Sequence, residues 1–233
     1  MEGFDYIKTN HRQLKEEISE LAVRHGEEVT LVAVTKSGTD EELLALASLG
    51  ITDIGENRPQ ELRRRGELLA LSGLTPNLHE IGNLQKNKVR LIIDRVSLIH
   101  SLDSLSLAEE IDRRAKGANR CVPVLIEINS AAEANKGGIL PSEAEGFLKE
   151  LRRFSGISVR GLMTMGPVCD NPEDIRPYFR LTAGLYKELK SKYGFAGPGV
   201  LSMGMSDSYR VAIEEGSTLV RVGRRLFEKG KEK

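Results

Sequence analysis

Lys36 closes the apolar run Leu31-Val32-Ala33-Val34-Thr35, a position from which a primary amine can reach a carbonyl compound. A lysine whose stem passes through partly desolvated surroundings loses some preference for its charged form and can build a Schiff base with an aldehyde. A solvated lysine at a strand end has the same local sequence, so position alone leaves both readings open. Arg221 lies inside a second apolar run, Leu219–Gly223. Arginine is seldom buried without an acceptor, so it needs either a barrel glutamate or the ring nitrogen of a heteroaromatic ligand. A third feature is Ser202-Met203-Gly204-Met205-Ser206, just before Asp207. Small residues there let backbone N–H groups approach an anion at a helix N-terminus, although an ordinary cap at Ser206 or Asp207 has the same sequence. Gly223-Arg224 supplies a second loop of the same kind.

Other polar residues carry less chemistry. His79 with Asp94, or Glu56 with Glu80, would make acid–base pairs, but a lone histidine in a strand is commonly a satisfied core residue. No His/Cys/Asp/Glu group has metal-ligand spacing, and no Ser/His/Asp arrangement, G-x-G-x-x-G or P-loop sequence is present.

The elements that must position these residues recur along the chain. Short apolar runs at Leu31–Lys36, Asp53–Asn57, Leu78–Gly82, Leu98–Asp103, Val122–Asn129, Val159–Met165, Val200–Gly204 and Leu219–Gly223 read as strands covered on both faces. Between them run helical patterns. Asp40 is the expected N-cap of a helix ending at Gly50; others cover Arg58–Leu71, Ser104–Lys116, Pro141 to about Phe154, Pro172–Lys192 and Ser206 to before Gly216. Met1–Gly26 forms a helix before the first strand. Eight strand signals alternating with helices predict an α/β protein, a (β/α)₈ TIM barrel over 1–233 as a single domain, with an open doubly wound sheet as the alternative. In such a barrel working residues sit at the C-terminal strand ends. Here those ends carry Lys36, Glu56-Asn57, His79 with Gly82-Asn83, Asp103, Asn129, Thr164-Met165, Ser202-Met203-Gly204 and Arg221-Gly223. Strands one and eight become neighbours on closure, so Lys36 and Arg221 can serve one ligand.

The charge balance, 34 basic against 34 acidic residues, gives no reason to expect nucleic acid or an anionic membrane as partner. Two isolated cysteines and an N-terminus without a signal-type apolar core predict a reducing, cytoplasmic setting. No run approaches the ~18 apolar residues of a spanning helix.

Several strings, taken together and in order, resemble the pyridoxal 5′-phosphate (PLP) homeostasis protein family. They are Ala33-Val34-Thr35-Lys36, Gly55-Glu56-Asn57, His79-Glu80-Ile81-Gly82-Asn83-Leu84-Gln85-Lys86-Asn87-Lys88, Ile126-Glu127-Ile128-Asn129, Gly161-Leu162-Met163-Thr164-Met165, Leu201-Ser202-Met203-Gly204-Met205-Ser206 and Val220-Arg221-Val222-Gly223. The barrel of that family is similar to the N-terminal domain of alanine racemase. The resemblance implies a PLP Schiff base on Lys36 and Arg221 at the pyridine nitrogen. It puts Ser202, Gly204, Gly223 and Arg224 near the phosphate and has Asn57, His79 and Met203 line the pocket. Two departures stand out. The family usually carries a hydroxyl residue where this chain has Arg224, and Asn135-Lys136-Gly137-Gly138 replaces a Ser-Lys-containing string.

What the resemblance implies about function is a PLP carrier in vitamin B6 homeostasis, without turnover. The alternative is a single-domain, racemase-like PLP enzyme acting on amino acids. An arginine at the ring nitrogen leaves that nitrogen largely unprotonated and the ring a poorer electron sink, which suits a holder of PLP. The expectation over 1–233 is a single barrel domain, without the second domain that gives alanine racemase its opposite-face tyrosine. The expectation is therefore a monomer making transient contacts with PLP-dependent enzymes.

Overall fold

The Val/Ile/Leu-rich runs become eight strands: β1 (Thr30–Val34), β2 (Asp53–Glu56), β3 (Asn77–Glu80), β4 (Leu98–Leu102), β5 (Val122–Glu127), β6 (Ile157–Met163), β7 (Val200–Ser202) and β8 (Leu219–Val222). The computed structural model describes residues 3–26, 28–133 and 136–229. Every strand is parallel to its neighbours, and β1 pairs with β8 from Thr30–Leu219 to Ala33–Val222, so the sheet closes in the order β1 to β8. Closure removes the two unpaired edges that an open sheet would expose, and the doubly wound alternative is set aside.

Helices cover the outside: α1 (Asp5–His25), α2 (Asp40–Ser48), α3 (Pro59–Leu71), α4 (Leu105–Gly117), α5 (Ala144–Leu151), α6 (Arg176–Tyr193), α7 (Tyr209–Glu214) and α8 (Arg224–Phe227). Short 3₁₀ turns at Lys86–Leu91, Pro141–Glu143 and Pro172–Ile175 complete the crossovers. The main core lies between this ring and the barrel, where Leu43, Leu46, Leu62, Leu69, Ile99 and Ile111 are almost wholly buried. A second, smaller cluster of Val32, Leu98, Leu125, Met163 and Leu219 plugs the barrel itself. The fold therefore has a packed interior floor rather than an open channel.

Three boundaries differ from the sequence expectation for local reasons. The cap of α2 is Thr39, one residue before Asp40: its hydroxyl accepts from Glu42 N at 3.2 Å while Glu42 Oε2 accepts from Thr39 N at 2.7 Å. That reciprocal capping box satisfies two orphan donors, more than Asp40 could do alone. The helix after β7 begins at Tyr209, because Ser206 and Asp207 remain in the loop; Ser208 is its N-cap. The helix from Pro141 starts with a 3₁₀ turn and stops at Leu151. In the N-terminal helix, Met1 and Glu2 lie outside the described residues, as do residues 230–233 of the tail. Among the described residues no helix is long and apolar enough to cross a membrane.

Candidate functional site

Side-chain parity decides what faces the barrel interior. Val32 and Leu219 belong to the inner cluster, whereas Ala33 and Val220 pack outward. Alternation then places Val34 on the inner side at the top of β1 and Arg221 on the inner side of β8, with Lys36 and Gly223 following the ends of these strands at the mouth. The ladder persists to Thr35, whose N–H donates to Gly55 O at 3.1 Å. Lys36 follows in a turn and is exposed, while Arg221 is 4% exposed. By the same rule Gly55 of β2, His79 of β3 and Ser202 of β7 face inward, while Asn57 and Gly204 lie just past the ends of β2 and β7.

Met203 does not join them. It is fully buried in the outer core, between Ser202 and Gly204, so its side chain points away from the mouth. Ser202 is also placed differently from the resemblance's implication. Its hydroxyl lies inside the barrel, accepting from Arg221 Nη1 and standing 3.1 Å from His100 Nδ1, rather than in the loop above. In that loop it is Ser206 whose Oγ accepts from Gly223 N, at 3.4 Å. Gly204 has φ +90°, and a Cβ there would approach Ala212 Cβ to 2.6 Å, so glycine permits the chain to turn back over α7. Arg224 reaches outward to Asp207, with both side chains two-thirds exposed.

The turn carrying Lys36 is clamped from below. Arg65 on α3 donates from Nη1 to Thr35 O and to Glu56 Oε1 (2.7 Å), and from Nη2 to Gly38 O (2.7 Å). Thr35 Oγ1 donates to the same Glu56 oxygen. On the other side, a Cβ on Gly38 would lie 2.7 Å from the Phe227 ring of α8. A guanidinium fork bonding two carbonyls of one turn fixes its path in a way a single ammonium cannot.

Beneath the mouth, polar groups run across the barrel. Asp53 Oδ1 is 2.9 Å from His79 Nε2, His79 Nδ1 is 3.0 Å from His100 Nε2, and Ser202 links His100 to Arg221. Arg221 Nη2 also donates to Thr164 O at 3.1 Å, which with the bond to Ser202 leaves Nε and one N–H on each terminal nitrogen without a protein partner among the described residues. Burial pushes the Arg221 guanidinium down to about 10, opposed by the nearby charge of Glu127, so it stays cationic at neutral pH. Burial also lowers His100 well below the ordinary imidazole value, with His79 and Arg221 adding to the effect, and the ring is neutral. Burial alone would raise Asp53; hydrogen bonds from His79, Thr52 and Asn77 outweigh it and keep the carboxylate below its usual range.

Two carboxyls overlook this floor. Glu127, at the top of β5, is pushed up to about 7 by burial and then by Asp103, opposed by Arg221. A Cβ on Gly137 would lie 3.2 Å from Asp103 Oδ2 and 4.0 Å from Glu127 Oε2, so the loop after β5 reaches the mouth. In that loop Lys136 pairs with Glu133 at 2.8 Å, while Asn135 lies outside the described residues. Glu80 packs on the outer side, pushed up to about 8 mainly by burial.

The structure thus joins His79, Ser202 and Arg221 inside the barrel and sets Lys36, Asn57, Gly204 and Gly223 just past the C-terminal ends of their strands. It adds Asp53, His100 and Glu127, which reading strand ends alone does not select. His100 sits in the middle of its run, and only the two-residue period of Leu98-Ile99-His100 marks it as inward-facing.

The sequence matches the family model described as alanine racemase, N-terminal domain, over residues 9–228. It is 43% identical over 197 residues to the pyridoxal phosphate homeostasis protein of Aquifex aeolicus, covering 84% of this chain and 85% of that one. The chain belongs to the alanine racemase N-terminal domain family, among its pyridoxal phosphate homeostasis proteins. A homeostasis protein of Helicobacter pylori is 33% identical over 202 residues, covering 86% of this chain and 87% of that protein. The structure of PipY from Synechococcus elongatus PCC7942 with PLP bound superposes with TM-score 0.82 at 27% identity, covering 95% of this chain and all of that one. Alanine racemase of Clostridium difficile 630 shares the fold, at TM-score 0.70 and 20% identity. It covers 98% of this chain but only 58% of the racemase. The barrel is therefore the unit that these proteins share.

Proposed function

We propose that this chain binds PLP in the barrel mouth and serves PLP homeostasis. In this reading the aldehyde carbon of PLP is held covalently by Lys36 Nζ, the ring nitrogen faces Arg221, and the phosphate lies against the loops after β7 and β8. Asn57 and His79 border the ring, and Gly204, Gly223 and Ser206 with Arg224 border the phosphate. The observation that supports the proposal is that β1, which leads two residues later to Lys36 at the mouth, pairs with β8, which carries Arg221, with Val32 registered against Arg221. The donor set fits the group: an amine for an aldehyde, a guanidinium nitrogen left for a ring acceptor, and glycine-rich loops where backbone N–H groups can meet an anion. PLP supplies electrophilic chemistry at its aldehyde when bound. The chain's own contribution is to hold and orient it.

A permanently charged arginine donates to the ring nitrogen without surrendering its proton, which leaves the ring a weak acceptor of electrons. That favours storage over turnover. It also suits the racemase-like reading, whose mark is exchange of the Cα proton of an amino acid with solvent deuterium. Around the mouth, Leu140, Met165, Val168 and Met205 are large apolar side chains exposed on the loops after β5, β6 and β7. They support transient contacts of a cytoplasmic monomer with PLP-dependent enzymes.

Equilibrium titration with PLP tests the proposal. Wild-type protein takes up one PLP per chain, Lys36→Ala loses most of the affinity, and Arg221→Lys retains the fold with weakened binding. Equal affinity in all three proteins would overturn it.

A further inference from the structure

The file of buried groups from Asp53 to Arg221 has a direction, and the direction follows from its two ends. Arg221 can only donate, so Ser202 Oγ accepts from it. Asp53 is a carboxylate held in that form by its three donors, so His79 Nε2, 2.9 Å away, must carry a proton toward it. Between these ends lie Ser202, with one hydrogen to give, and His100, a neutral ring with one N–H. If Ser202 donates to His100 Nδ1, the His100 proton sits on Nε2 and points to His79 Nδ1, 3.0 Å away. Every bond in the file then has one donor and one acceptor. The reverse orientation puts two donors on Ser202 and a second proton on His79, adding a buried cation near Arg221 in a low-dielectric interior.

We infer that Asp53, His79, His100 and Ser202 form a one-way hydrogen-bonded file, Arg221→Ser202→His100→His79→Asp53, and act as positioning residues for Arg221. The cation at one end and the carboxylate at the other polarise all four bonds in the same sense, which strengthens each of them. His79 accordingly works from beneath, through other side chains, in addition to bordering the mouth. Asp53 sits at the opposite end of the barrel, where it also lines a cavity of ≈ 520 Å³ under α1 together with His11 and Lys15. A residue on the floor face thereby sets how firmly the mouth's guanidinium is held. The direction of the file rests on the hydrogen-bond geometry together with the charge states of its two ends; its effect on ligand affinity rests on the proposed role of Arg221 toward PLP.

The test has two arms. In ligand-free wild-type protein labelled with ¹⁵N, long-range imidazole spectra report which ring nitrogen is protonated. Both His79 and His100 are expected as Nε2–H rings, and an Nδ1–H ring at either overturns the inference whether or not the protein binds PLP. The other arm is Asp53→Asn, which keeps an acceptor for His79 and removes only the charge. It is expected to introduce Nδ1–H tautomer at His79 and His100 and to weaken PLP binding about five- to tenfold, the difference between charge-assisted and neutral hydrogen bonds. Asp112→Asn is the comparison, since Asp112 is a buried carboxylate on the outer side, bonded to Gly156 N and Lys116. Affinity in Asp53→Asn equal to that in Asp112→Asn would remove the positioning role. Absence of PLP binding in wild type itself would instead overturn the proposed function and leave the tautomer result standing.

Discussion

Arg65 on α3 and Glu56 at the end of β2 form a buried ion pair, Nη1 to Oε1 2.7 Å, with side chains 8% and 3% exposed. Because the same guanidinium bonds the carbonyls of Thr35 and Gly38, the pair ties the helix layer to the turn that carries Lys36. Arg65→Met would strand a buried carboxylate and release two carbonyls. Breaking such a pair from one side costs about 3–5 kcal/mol. Thermal denaturation should show a fall in Tm of roughly 6–20 °C for a chain of this size. Slower uptake of PLP should accompany it, with partial recovery of both in Arg65→Lys.

Glu80 gives stability a pH dependence. Its carboxyl is raised from 4.5 to about 8, chiefly by burial, so between those values the folded chain holds a proton that the unfolded chain has lost. The contribution is fully present below pH 4.5 and disappears as the pH climbs through 8. Glu80→Gln mimics the protonated form and avoids that loss. Its Tm advantage over wild type should grow between pH 5 and pH 8; a constant difference would mean that Glu80 is ionised in the folded protein.

Two glycines should behave in opposite ways. A Cβ on Gly82 would overlap the carbonyl of Asn57, a backbone atom that cannot yield without shifting the top of β2 beside the mouth. Gly82→Ala should cost more than about 2 kcal/mol and weaken PLP binding together. Gly146 in α5 has nothing within 4 Å of the same position. Gly146→Ala should be neutral or stabilising by about 0.5–1 kcal/mol. Denaturant titration of the two variants separates crowding from backbone entropy.

Arg224 bears on the phosphate. Its pair with Asp207 is too exposed to matter for stability, so Arg224→Ala should leave Tm unchanged. A loss of PLP affinity that shrinks at high salt would locate the guanidinium at the phosphate, as a screened charge contact requires. Unchanged affinity would assign the phosphate to backbone amides and Ser206.

Much of this arrangement is legible in the sequence because strands buried on both faces leave long apolar runs, and eight of them alternate with amphipathic stretches. Lys36 and Arg221 stand out for the same reason, as charges at the end of or inside such runs. Met203 is a different matter. The resemblance places it in the pocket by its string, yet Ser202 before it takes the inner position and two-residue alternation sends Met203 into the outer core. His100 escapes because Leu98–Asp103 draws attention to its polar end, whereas the second inner layer lies in mid-strand. Asp53 escapes for the mirror reason: it opens its strand, at the end where chemistry is not expected. Thr39, Asp40 and Glu42 all have capping chemistry, and only the observed reciprocal bonds pick out Thr39.

The most direct measurement is borohydride reduction of the PLP-treated protein, followed by absorption spectroscopy and peptide mapping. Wild type should absorb in the visible before reduction and carry the cofactor mass on the peptide containing Lys36 afterwards, and Lys36→Ala should show neither. A wild type that takes up no PLP, or a label that settles on another lysine and persists in Lys36→Ala, would contradict the account.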